Sequence, residues 1–222
     1  MVEFRRASAF VLVAALASCG SARVSLSAGP RSYVPDDYFF VQQRWTRKAS
    51  LLSMQDLDDK LTATATFESW DFRWAYVTRY AEDFRLSEKE RMRMMSAELD
   101  DARQFHRFFV ALYASTPYRY ADLTKPGAPW VVRLVDSLGH EVEPFEMERI
   151  SKPSPVERQY FPFASVWRHA FRVKFRRRTA GSDAGIDDEN AAWIALRFSG
   201  SEGVEALQWN LDNDAPRKNL SK

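Results

Sequence analysis

Thirty-two lysines and arginines against 30 aspartates and glutamates leave this 222-residue chain with a formal charge of +2, which excludes a bulk electrostatic pull toward nucleic acid. Its composition, 45% apolar and 14% aromatic, supplies one hydrophobic core, in keeping with one domain or one domain with an insertion. One cysteine excludes an internal disulfide, so seven tryptophans and sixteen phenylalanines must stabilise the fold by burial, at about 25 cal/mol per Å² of apolar surface.

Arg5 and Arg6 precede an apolar run from Ala7 to Ala17, the proportions of a secretory signal peptide. A helix rises about 1.5 Å per residue, so this run covers about half of a ~30 Å hydrocarbon core and is too short for a permanent span. Ser8 and Ala9 stand where a twin-arginine signal carries bulky apolar residues, which favours ordinary secretion. Leu16-Ala17-Ser18-Cys19 closes the run. It resembles the lipobox of bacterial lipoproteins, a resemblance confined to residues 1–20. The resemblance implies cleavage of residues 1–18, a diacylglyceryl thioether on Cys19 and usually an N-acyl chain, together enough for stable membrane attachment. Gly20 in place of aspartate implies transfer to the outer membrane, facing the periplasm, in a Gram-negative host.

Residues 19–36 are rich in Ser, Ala, Gly and Pro and read as a flexible tether with a reach of about 20 Å. A single domain is expected over 37–212, followed by a polar tail over 213–222. Asp36 or Asp37 is placed to cap a short helix. Leu61 to Phe67 alternates apolar residues with threonine, which predicts a strand over about 60–67. Trp70, Trp74, Val77, Ala81 and Phe84 then recur at helical spacing behind an N-cap at Ser69. Ser87-Glu88-Lys89-Glu90 has the form of a capping box, and Met92, Met95, Leu99, Ala102, Phe105, Phe109 and Leu112 extend one stripe until Pro117. A helical hairpin over about 69–116 is therefore expected.

Beyond it, over about 118–210, come short strands separated by turns: Trp130 to Val135, Phe145 to Ile150, the stretch from Trp167 to Phe175, Ala192 to Phe198 and Val204 to Trp209. The expected fold class is α+β, an immunoglobulin-like antiparallel β-sandwich with the helical hairpin inserted or preceding at one end or edge.

Few motifs carry chemistry. No serine stands at the centre of a nucleophile elbow. His106 is expected on the long helix, His140 after a turn glycine without the second histidine of a zinc protease, and His169 in the core. Asp183 to Asn190 lacks the alternate ligand spacing of an EF-hand loop and reads as an acidic turn. Asp56, Asp58 and Asp59 read as loop residues. The strand from Trp167 is more distinctive, because Arg168, Arg172, Lys174 and Arg176 share one face and Arg177 and Arg178 follow. The bland account is an edge strand guarded by charge; the functional account is a patch for an anionic partner.

The expected function is that of a non-enzymatic, lipid-anchored envelope protein, a binding or assembly module for an envelope protein or cell-wall polymer. It needs no cofactor or metal, contacts the membrane through Cys19 and binds no nucleic acid. The alternative is an envelope hydrolase acting on a glycan through scattered carboxylates.

Overall fold

A computed structural model describes residues 23–53, 58–114, 122–178, 185–186 and 189–212. Cys19 and its lipobox, Asp56, Asp183, Asp187 and Asp188, and the tail over 213–222 lie outside the described residues. The elements are α1 (Tyr38–Trp45), β1 (Thr46–Ser53), β2 (Asp58–Phe67), α2 (Trp70–Asp83), α3 (Glu88–Gln104), β3 (Phe105–Ala114), β4 (Trp130–Asp136), β5 (Glu141–Val142), β6 (Glu146–Ile150), α4 (Pro155–Tyr160), β7 (His169–Arg176), β8 (Trp193–Gly200) and β9 (Gly203–Asn210). The chain is thus mixed α and β. Among the described residues its strands form two antiparallel sheets, ordered β1-β2-β3-β7-β6 and β5-β4-β8-β9. No helix among them is long and apolar enough to cross a membrane.

Period-two alternation decides which face of the larger sheet is inward. Leu61, Ala63, Ala65 and Phe67 of β2, Phe108, Val110 and Leu112 of β3, and Phe171, Val173 and Phe175 of β7 are all buried. This face meets the smaller sheet through Trp209, whose ring lies 5.9 Å from Phe67 and 5.4 Å from Phe108. The Trp209 indole donates to the Trp45 carbonyl at 3.0 Å, so the buried ring keeps its polar partner.

The other face carries Thr62, Thr64, Thr66, Arg107, Phe109, Arg172 and Lys174, and the helices cover it. Phe161 stacks on Phe109 at 4.0 Å and faces Phe72 of α2 at 5.8 Å, wedging the segment after α4 between hairpin and sheet. Two of the three predicted caps are in place, whereas Asp37 stands at the N-cap of α1 without capping it and accepts from the Val34 amide at 2.9 Å. Ser69 Oγ accepts from the Phe72 amide, and Ser87 and Glu90 close a reciprocal box, a device worth about 1 kcal/mol per cap.

The expected long helix is corrected. It ends at Gln104, and Phe105–Ala114 is the central strand of the larger sheet, paired with β2 and β7. A strand buried on both faces presents an almost unbroken apolar run, and such a run satisfies helical spacing as well. His106 is consequently a strand residue between the sheets and not a helix residue. The hairpin of α2 and α3 is an insertion between β2 and β3, which are neighbours in one sheet, and it covers a sheet face instead of an end or edge.

The tether is also shorter than expected, because residues 23–36 are docked. Val24 is fully buried, donates its amide to the Asn210 carbonyl at 2.9 Å and accepts from the Asp212 amide at 2.8 Å. Gly29 receives the Trp70 indole N–H at 2.7 Å, and Arg31 pairs with Asp71 at 2.5 Å. Backbone pairing at the end of β9 needs no distinctive side chains, which is why composition concealed it.

Candidate functional site

A cleft of about 350 Å³ opens between the hairpin and the outer face of the larger sheet. Strand register supplies its floor. Arg107, Lys174 and Glu146 are direct cross-strand neighbours on β3, β7 and β6, and Phe109, Arg172 and Glu148 form the next row. Glu68, from the link between β2 and α2, and Glu98 of α3 close one side, while Phe72, Tyr76 and Phe161 provide an aromatic wall.

The charges hold one another. Arg107 donates from Nε to Glu68 Oε2 at 2.7 Å, and its Nη2 reaches Glu98 Oε2 at 2.6 Å. Behind it, the fully buried Arg73 donates to Asp101 Oδ2 at 2.5 Å and to the Glu98 and Glu68 carbonyls at 2.9 and 2.8 Å. Lys174 lies 3.1 Å from Glu146 and 3.7 Å from Asp101. Arg172 lies 4.0 Å from Glu68 and 3.8 Å from Glu157.

Burial opposes charge on Arg107, yet Glu68, Glu98 and Asp101 outweigh it and raise its pKa above the usual guanidinium value. Burial likewise opposes ionisation of Asp101, but Arg73, Arg107 and Lys174 hold its carboxyl below the usual range. Burial, helped by Glu68 and Glu98, pushes the Tyr76 phenol up, which keeps its hydroxyl a neutral donor. Glu68 is 4% exposed, but its Oε1 accepts no hydrogen bond. The cation facing that oxygen is Arg172, whose Nε lies 4.0 Å away.

Of the basic residues singled out by sequence, only Arg172 and Lys174 line this cleft. Arg168 donates to Thr64 Oγ1 at 3.0 Å. Arg176 is exposed, with its guanidinium 3.8 Å from the centre of the Phe145 ring. Arg177 donates to the Ala102 carbonyl at 3.1 Å, and Arg178 follows it beyond the strand against Gly185. Because β7 lies between β3 and β6, it is not an edge strand, and edge protection does not account for its charge. Sequence reading missed Arg107, Glu68 and Glu98. The signal was the strand period of 105–114, which would have put Arg107 beside Lys174.

The three histidines occupy different surroundings. His106 is buried between the sheets, and burial, with Arg177 and Arg73 nearby, lowers its pKa well below 6.5. His140 Nδ1 lies 2.7 Å from Asp136 Oδ2 in the turn after β4. His169 is buried, as expected, with Nδ1 3.4 Å from Arg149 Nη2, and Arg149 in turn donates to Asp122 at 3.0 Å. Asp58 and Asp59 belong to β2, not to a loop, and Asp59 accepts from the Thr62 hydroxyl. Among the described residues no group of three or more His, Cys, Asp or Glu side chains is arranged to hold a metal ion. No protein-family model matches the chain, and neither the curated proteins nor the solved structures contain a significant match to it.

Proposed function

We propose that this chain is a lipid-anchored envelope protein that binds a polar segment of an envelope protein or cell-wall polymer in the cleft over β3, β7 and β6. The observation that carries this reading is the mixed charge of the cleft: Arg172 and Lys174 line it beside the exposed carboxylates of Glu146 and Glu148. A ligand with an anionic group and N–H or O–H donors, such as a short peptide or an acidic sugar, complements that arrangement. The side carboxylates Glu68 and Glu98 already accept from Arg107, so they offer a fixed polar surface rather than a free acid and a free base. For the sheets, we infer a β-sandwich of the immunoglobulin-like type. Its support is the packing of Trp209 against Phe67 and Phe108 across the two layers.

The test is cross-linking in intact cells, purification under denaturing conditions and mass spectrometry of the product, with Arg172→Ala/Lys174→Ala alongside. One abundant envelope partner, lost in the double variant, is the expected result. Fractionation of Cys19→Ala checks the anchor, and membrane retention of that variant would overturn it. The hydrolase alternative draws on the four glutamates lining the cleft. Polymer turnover that is abolished by Glu148→Gln would replace the binding reading.

A further inference from the structure

Both sheets present the same end to the docked N-terminal segment. The pairs Thr46 with Thr66, Phe105 with Arg176 and Trp193 with Asn210 mark one end of the strands. Val24 bridges to Leu211 there, just past β9. The opposite end carries Leu51, Leu61, His169 and Gly203, with Gly203 packed so closely that an added Cβ would lie 2.9 Å from Leu51 Cδ2. Arg176 and His169, at the two ends of β7, are separated by about 23 Å at ~3.3 Å per residue.

Chain length fixes which end is near the anchor. Arg23, the first described residue, is four residues after Cys19, and four residues in any conformation span at most about 14 Å. A tether of that length reaches the Val24 end of the domain only. That end is rich in guanidinium groups. Arg23 and Arg44 are both exposed, with Arg44 Nη2 3.3 Å from the Arg23 carbonyl. Arg177, which bridges to Ile186, and Arg178 follow β7 at the same end, and among the described residues that end also carries the carboxylates of Asp212 and Glu189. Arginine suits phosphate oxygens because its planar fork donates two parallel hydrogen bonds. Attraction to an anionic surface acts within a screening length of about 8–10 Å, a separation the short tether permits.

We propose that the Val24 end of the domain lies on the headgroups of the leaflet that holds Cys19, with Arg23 and Arg44 against lipid phosphates, so that the His169 end points away from the membrane. The proposal rests on the lipoprotein reading of Cys19, and the test separates the two. The processed full chain is reconstituted in vesicles of phosphatidylethanolamine and phosphatidylglycerol containing a nickel-chelating lipid. Spin labels are placed through Gln43→Cys beside Arg44, or through Val166→Cys at the other end; both parent residues are exposed. The expected result is several-fold stronger relaxation by nickel at position 43 than at position 166, with the contrast reduced by Arg23→Glu/Arg44→Glu. It should also fall when fifteen glycine and serine residues are inserted after Gly20. Equal or reversed relaxation on a chain whose Cys19 is diacylated by mass would overturn the membrane-facing surface alone. An unmodified Cys19 would overturn the anchor and the surface together.

Discussion

Arg107 and Glu68 share two short contacts, with the Arg107 Nε 2.7 Å and Nη2 2.6 Å from the same Glu68 oxygen, and their side chains are only 13% and 4% exposed. One guanidinium therefore ties the central strand to the link that enters α2. Removing one member of a buried pair leaves the other charged and unsolvated, which costs about 3–5 kcal/mol. Arg107→Met should lower stability by that order in urea unfolding, and Glu68→Gln in the same background should recover part of the loss. Additive effects of the two substitutions would show that the pair contributes nothing beyond its parts.

Stability should fall on mild acidification because of His106. Its folded pKa is depressed well below 6.5 by burial, then by Arg177 and Arg73. Below pH 6.5 the unfolded chain takes up a proton that the folded chain refuses, so stability drops by up to about 1.4 kcal/mol per pH unit. Asp101 and Asp122 act in a lower window. Burial opposes both ionisations, but Arg73 holds Asp101 low, and Thr124 with Arg149 holds Asp122 low. Their contribution is present above about pH 3.8 and lost below it. His106→Gln should flatten the slope between pH 6.5 and about 5 while leaving the acid limb; an unchanged slope in chemical denaturation across that range would show that another group is responsible.

Binding in the cleft should weaken with salt, since Arg172 and Lys174 are 31% and 24% exposed and partly screened. Lys174→Met should reduce capture of the cross-linked partner and flatten its salt dependence. The same variant should unfold within about 1 kcal/mol of the parent, as expected for a partly exposed pair. A large loss of stability would mean that Lys174 braces the sheet instead of meeting a ligand.

Gly200 closes β8 against the start of β4, where an added Cβ would overlap the Pro129 carbonyl oxygen and approach Trp130 Cε3 to 2.9 Å. Trp130 is buried and has no room to retreat. Gly200→Ala should cost about 1–3 kcal/mol, the range for overpacking. Thermal unfolding of this variant beside Ser87→Ala, where only a cap worth about 1 kcal/mol is lost, would rank the two effects.

Local rules made several elements legible. Ser69 and Ser87 announced their helices because a cap is a short-range hydrogen bond written within four residues. The alternation from Leu61 to Phe67 announced a strand for the same reason, although the threonine face expected to be open is buried too. The candidate cleft was only half visible. Arg172 and Lys174 stood out by alternation on β7, but Arg107 was concealed in a run whose residues are buried on both faces, and Glu68 and Glu98 carried no local pattern at all.

The sequence by itself determined the helix starts, the alternating strands and the apolar content that demands a packed core, all consequences of spacing along the chain. Only the tertiary structure decided that Phe105–Ala114 is a strand, that residues 23–36 dock, and that Arg107, Glu68, Glu98 and Lys174 meet. Those outcomes depend on pairing between segments far apart in sequence. Burial between two sheets and charge compensation across strands then outweigh the local preference of each segment.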